Sequence, residues 1–271
     1  MSDNRPIGVF DSGVGGTTVL RSLLSAVNKE SFIYLGDTAR LPYGSKSPET
    51  IRRYSEQCVR YLRKREVKAV VIACNSASSQ MLENEFEGIP IYNVIEPGAK
   101  LALSISQTGH IGVLGTRATV QSHAYEKALK SLSPSIKITT QVCPLFVPLA
   151  EEGLDGDPIT NLIAYRYIGP LLQSDIDTLI LGCTHYPLLR QSIERVTTQR
   201  ISLVDSGDAI AQLLKADISN GDKIKPSGLE RGSLRILCTD MSENFVSQCR
   251  KILSPIVPAS FESVDIGSLA P

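Results

Sequence analysis

Cys74 and Cys183 each follow a continuous apolar run and precede side chains rich in hydrogen-bonding groups. The first run, Val-Lys-Ala-Val-Val-Ile-Ala, leads through Cys74 to Asn75 and Ser76. The second, Ile-Asp-Thr-Leu-Ile-Leu-Gly, leads through Cys183 to Thr184 and His185. A single nucleophilic cysteine would account for one of these places, not both. Metal binding wants further ligands at suitable spacing, and thiol–disulfide chemistry usually sets its two cysteines close in sequence. Two thiols on opposite walls of a cleft suit proton transfer at a stereocentre. One thiolate removes a proton from one face of a carbon, and the other thiol delivers a proton to the opposite face. The obstacle is energetic, because a free thiol of pKa near ~8.5 is only slightly ionised at neutral pH and a proton beside a carboxylate is far less acidic. Acid–base positioning supplies about 10²–10⁴-fold, so preorganised charge must supply much of the rest. Asp11, Glu151 and His185 are the candidate helpers.

Such apolar runs read as strands buried on both faces, the pattern of a parallel sheet covered by helices. The cysteines then fall at strand carboxyl ends, where open α/β sheets bind ligands. The order around them repeats. In the first half a strand at 6–10 leads to Asp11-Ser12-Gly13-Val14-Gly15-Gly16 and a helix that Thr17 or Thr18 could cap. A strand at 31–35 and a polar loop at 36–44 follow, then a helix with Ser47 as N-cap and Pro48 in its first turn, running to about residue 64. A strand at 67–73 delivers Cys74, with a helix at 76–86 and a strand at 89–94 behind it. The glycines either make a tight turn or cradle a small anion at the helix start, and their spacing is not the dinucleotide fingerprint.

In the second half Ile111-Gly112-Val113-Leu114-Gly115-Thr116 echoes Ile7-Gly8-Val9-Phe10-Asp11-Ser12. A strand at 137–143, a loop at 144–153 that stands where the first half has its Tyr43–Gly44 loop, a helix at 158–173 and a strand at 178–183 complete the echo. The fold expected is α/β, with two similar pseudo-symmetric domains, each a mainly parallel sheet flanked by helices, and the active site in the cleft between them. The tail holds more elements than the second half needs. The first domain is therefore set at 1–97 plus 206–271 and the second at 98–205, with crossings at Pro97-Gly98 and Ser206-Gly207.

Composition bounds the partners. Lys+Arg and Asp+Glu are 28 each, so no electrostatic footprint for nucleic acid or an anionic membrane is visible. No apolar stretch reaches the roughly 18–20 residues needed to cross a bilayer, and the N-terminus lacks the regions of a signal peptide, which makes the cytoplasm the default. The 6 cysteines are scattered, and neither they nor the 3 histidines form a metal signature, so reduced thiols and no metal are expected. Cys58, Cys143, Cys238 and Cys249 read as inert buried thiols.

Four ordered motifs resemble the glutamate racemase family over nearly the whole chain. They are Phe10 through Gly16, Gly36-Asp37-Thr38-Ala39-Arg40-Leu41-Pro42-Tyr43-Gly44, Ala73-Cys74-Asn75-Ser76-Ala77-Ser78, and Leu181-Gly182-Cys183-Thr184-His185-Tyr186-Pro187-Leu188. The resemblance implies a cofactor-independent enzyme that interconverts L- and D-glutamate, supplies D-glutamate for peptidoglycan, and is usually a homodimer. Carried over by position, Cys74 would act on D-glutamate and Cys183 on L-glutamate, assisted by Asp11, Glu151 and His185. Asp11, Ser12, Tyr43, Gly44, Asn75, Ser76, Thr184 and His185 would hold the substrate. Where the family usually has Thr after the Cys-Asn pair this chain has Ser76; the hydroxyl is kept, with slightly looser packing expected. The rival readings are a racemase for another acidic amino acid or a hydantoin, a non-catalytic two-domain binding protein, and a thiol redox sensor.

Overall fold

Apolar runs with no polar face become strands with no solvent face. Every residue of β1 (Ile7–Asp11), β2 (Phe32–Gly36), β3 (Ala69–Ile72) and β8 (Thr178–Gly182) is buried. The structure is a computed structural model that describes residues 2–198, 200–221 and 223–267. Residues 1, 199, 222 and 268–271 lie outside the described residues. The remaining strands are β4 (Glu85–Phe86), β5 (Ile89–Asn93), β6 (His110–Gly115), β7 (Lys137–Val142), β9 (Ser202–Asp205), β10 (Leu234–Cys238) and β11 (Ser260–Ser263).

They form two sheets, one of seven strands in the order β11-β10-β2-β1-β3-β5-β4 and one of four in the order β7-β6-β8-β9. All pairs are parallel except β4 with β5. The stretch β2-β1-β3-β5 of the first sheet has the same order as β7-β6-β8-β9 of the second, so the repeat expected from the sequence is a repeat of topology. In each sheet the chain moves outward one way from the central strand and then returns to its other side, which opens a crevice at the carboxyl ends of β1 and β3, and again of β6 and β8.

The two-residue period of a strand sorts each sheet's side chains into two layers. Val9, Tyr34 and Val71 point into one apolar cluster, while Phe10, Leu35 and Ile72 point into another on the opposite face. The second sheet repeats the division, with Leu114, Leu179 and Leu181 on one side and Val113, Ile180 and Val204 on the other. No helix among the described residues is long and apolar enough to cross a membrane.

Three local expectations give way. The helix expected at 76–86 is only Asn75–Ser78. Its remainder becomes a hairpin in which Phe86 faces Ile89, and Glu87 and Gly88 turn with φ of 49° and 79°. Two consecutive positive φ values suit a two-residue hairpin turn and end any helix. Pro97 and Gly98, expected at a crossing, lie in the first turns of the helix Ile95–Ile105, where proline has no intrahelical N–H bond to lose. Ser206 and Gly207 likewise begin the helix Ser206–Asn220, which packs against Ile95–Ile105. The chain therefore leaves each sheet for the other on a helix. The edge strand β11 was not expected, because four residues of mixed polarity carry too little pattern.

Candidate active site

Parallel register brings the site together. Phe10 pairs with Ile72 and Asp11 with Gly36, so Asp11 and Cys74, two residues beyond Ile72, emerge from the same end of the sheet. In the second sheet Gly115 pairs with Gly182, which places Thr116 beside Cys183. These ends face one cavity of about 110 Å³. Ser12, Tyr43, Gly44, Cys74, Asn75 and Ser76 line it from the first sheet, and Thr116, Arg117, Cys143, Cys183, Thr184 and His185 from the second. Asp11 and Glu151 stand behind this lining, in contact with Thr184 and His185. Among the described residues, no group of three or more His, Cys, Asp or Glu side chains could hold a metal ion.

The two thiols are nearly buried and differently equipped. The Cys74 thiol donates to Ser12 Oγ at 3.8 Å. Burial pushes it up well above an ordinary thiol, and negative charge on Asp11 and Cys183 pushes the same way. Asp11 is itself raised by burial, partly offset by the nearby His185 charge. Its Oδ2 accepts from Gly13 N at 2.9 Å, and its Oδ1 accepts from the Thr184 hydroxyl at 3.1 Å. That carboxylate thus ties the first sheet's loop to the second's.

Beside Cys183 the arrangement is cationic. His185 Nδ1 lies 3.9 Å from Cys183 Sγ, and His185 Nε2 lies 2.9 Å from Glu151 Oε1. Burial opposes the imidazolium, yet the Cys183 sulfur and the Glu151 carboxylate outweigh it and hold His185 up to about 10. A charged His185 donates from both ring nitrogens, one to the sulfur and one to the carboxylate.

The substrate-holding residues expected from the sequence do not all offer free groups. The Tyr43 hydroxyl donates to Asp37 and sits 3.9 Å from Cys58, so the ring packs inside and its hydroxyl does not serve the cavity. Burial is the main reason that this hydroxyl is held far above the ordinary tyrosine range. The Asn75 carboxamide accepts from Tyr125 at 2.7 Å and donates to Ser206 at 3.3 Å, which leaves one side-chain N–H. Ser76 Oγ lies 2.9 Å from Thr116 Oγ1 and 3.4 Å from Thr119 Oγ1, making a small hydroxyl cluster across the two sheets.

Thr116, Arg117 and Cys143 were missed as lining residues. The repeat already aligned Thr116 with Ser12, and that signal could have found it. Cys143 reads as an inert core thiol in sequence; burial pushes it up, as charge on Cys183 also does, but it does reach the cavity wall.

The glycines after Asp11 have a reason that neither a turn nor an anion cradle captures. Among the described residues, Gly13, Gly15 and Gly16 are not in the left-handed region. A Cβ on Gly15 would come within 2.5 Å of His185 Nδ1 and 2.6 Å of Thr184 Oγ1; one on Gly16 would come within 2.3 Å of the Asp11 Cβ. The absent side chain of Gly15 lets the second sheet's motif approach, and that of Gly16 lets the helix start lie against Asp11. The helix starts at Gly16 with Gly15 as N-cap, and Thr17 and Thr18 are inside it, donating to the Val14 and Gly15 carbonyls. Gly15→Ala should therefore push His185 off Cys183 and lower turnover about 10-fold with the fold retained, the scale of a modest misplacement. Steady-state rates beside a thermal melt check this.

A family model described as Asp/Glu/Hydantoin racemase matches residues 7–214, most of the chain. The chain belongs to the Asp/Glu/hydantoin racemase family. The matched span includes both cysteine-bearing strand ends and all of the second sheet, and stops before β10 and β11. A glutamate racemase of Geobacter metallireducens is 43% identical over 244 residues, covering 89% of this chain and 90% of that one. Among solved structures of the family, a glutamate racemase isoform from Bacillus anthracis superposes with TM-score 0.90 at 34% identity, covering 96% of this chain and 97% of its own. A glutamate racemase from Francisella tularensis, solved with D-glutamate, gives 0.89 at 34% identity and 98% and 99% coverage. This family's mainly parallel, helix-flanked two-sheet architecture is the one described above.

Proposed function

We propose that this chain interconverts L- and D-glutamate by moving a proton between two thiols and the substrate Cα, and that it thereby supplies D-glutamate for peptidoglycan. The observation that carries the reading is that two buried cysteines at equivalent strand ends of a repeated unit line a single cavity. Similarity to glutamate racemases supplies the substrate.

In the L-to-D direction Cys183 acts as thiolate and takes the Cα proton, and the His185 imidazolium stabilises the charge on its sulfur before the transfer. The Cys74 thiol then delivers its proton to the opposite face of the carbanion. Burial suits this thiol to be the acid, because it keeps the proton on Cys74 until a stronger base is presented. The reverse reaction exchanges the roles. The chemistry needs no electron sink beyond the carboxylate beside Cα and the polar lining, so the reading calls for no cofactor. Ser12, Gly44, Ser76 and Thr184, with the one spare N–H of Asn75, would hold the dicarboxylate, with Tyr43 beside them in the cavity wall. Strand membership supports drawing the units at 1–97 plus 206–271 and 98–205. A cytoplasmic homodimer is the setting that the reading implies.

The test is L-glutamate in D₂O with the protein, a thiol reductant and no added cofactor. Decay of the circular dichroism signal with deuterium entering at Cα is the expected result. An unchanged signal under those conditions overturns the reading.

A further inference from the structure

Glutamate carries two carboxylates against one ammonium, so it must be drawn as an anion into a cavity that already holds thiols and has carboxylates behind its wall. The net charge gives no help, because Lys+Arg and Asp+Glu balance at 28 each. Any attraction must be local. Apart from His185, the cavity lining contains one cation, Arg117, and no carboxylate.

These two cations occupy different depths. His185 is 2% exposed and already committed to Cys183 and Glu151, so its charge is spent within the wall. Arg117 is exposed, while Thr116 immediately before it is buried in the hydroxyl cluster with Ser76. Its backbone is fixed by the Thr116 side chain, which accepts from Thr119 N and caps the short helix Arg117–Gln121. Arg117 takes part in no ion pair among the described residues, unlike Arg40, Arg52 and Arg60, whose guanidiniums face carboxylates. A cation held by a rigid cap at the solvent side of a cavity, with no protein partner, is available to an arriving anion.

We infer that Arg117 is the specificity-determining charge of the cavity mouth, attracting the dicarboxylate substrate and favouring it over amino acids with a neutral side chain. This inference rests on the reading of the site as a glutamate-racemising one. The attraction is screened by salt.

The experiment measures kcat and kcat/KM for L-glutamate at about 20 mM and about 0.5 M salt, with Lys130→Ala as an exposed control outside the cavity lining. Arg117→Ala should lower kcat/KM about 3- to 10-fold at low salt, as expected for one partly screened charge, with kcat held within about two-fold. Arg117→Glu should lower it further, about 10- to 100-fold, and Arg117→Lys should stay close to the parent enzyme. At high salt, where the Debye length falls to roughly 4 Å, the differences should shrink to about two-fold. Equal low-salt kcat/KM in all the proteins overturns the inference, and so does a loss that persists at high salt with a fall in kcat, which marks a structural role. If the parent enzyme does not racemise glutamate, the functional reading falls and this inference with it; a parent that turns over alongside salt-independent variants removes the inference alone.

Discussion

Replacing either Cys74 or Cys183 with alanine is expected to lower racemisation of glutamate by about 10²–10⁴-fold in both directions, the full contribution of a positioned acid or base. Both directions must suffer, because each needs one thiol to take the proton and the other to return it. The variants should differ in what they keep. With Cys183→Ala, Cys74 still faces its side of Cα, so D-glutamate should exchange its α-hydrogen with D₂O while its optical sign persists. Cys74→Ala should do the same with L-glutamate. Both sulfurs sit in a packed wall, 4% and 6% exposed, and removing one leaves a small gap that should not prevent folding. Mass spectrometry for deuterium beside polarimetry separates exchange from inversion, and titration with glutamate checks that binding remains. A variant that racemises at the parent rate would remove that thiol from the proton transfer. Exchange of both enantiomers by one variant would sink the assignment of one thiol to each face.

What could be read from the sequence follows from which interactions are local. The runs ending at Cys74 and Cys183 are largely apolar on both faces, as a covered parallel strand is, and their repetition led to the two-sheet plan. Ser47 with Pro48 is equally local, and its side chain does accept from Thr50 N. Contacts across large separations were not legible. Gly15 meets His185 and Thr184, about 170 residues away, and no local rule tells a turn glycine from one that admits a distant side chain. Tyr43 was expected among the substrate-holding residues, but nothing local said that its hydroxyl would be taken up by Asp37, which is paired in turn with Arg40 and Thr239. Residues 79–86 have helical composition, yet the positive φ of Glu87 and Gly88 and the pairing of Phe86 with Ile89 outweigh it. Asp11 and Glu151, read as helpers in the sequence, stand behind the lining, where one accepts from Thr184 and the other pairs with His185.

His185 makes the second large effect, and its sign follows from its surroundings. Burial works against its charge, but the Cys183 sulfur, Glu151 and then Asp11 overcome that and hold it up to about 10, above the ordinary ~6.5. A group raised on folding contributes stability that is fully present below about 6.5 and is lost as pH climbs through about 10. The proton lost in that window is also the one that stabilises negative charge on Cys183. The rate in the L-to-D direction and the resistance to urea should therefore decline together on the alkaline side, near pH 10. Glu151→Gln removes one of the groups that raise His185, so the imidazolium gives up its proton earlier. The alkaline limb should move to lower pH, and the rate at about pH 9 should fall about 10-fold. His185→Gln removes the cation outright; the L-to-D rate should drop about 10²-fold, of the order of losing one preorganised electrostatic donor, and the limb near 10 should vanish. Cys74 has Ser12 and Asp11 beside it and no such cation, so α-hydrogen exchange of D-glutamate with D₂O should slow less than that of L-glutamate, while kcat/KM falls alike in both directions because the two enantiomers have equal free energy. Profiles of kcat/KM in each direction for the three proteins decide the matter. Alkaline limbs that coincide in all three would mean that another group titrates there and that His185 does not hold the charge assigned to it.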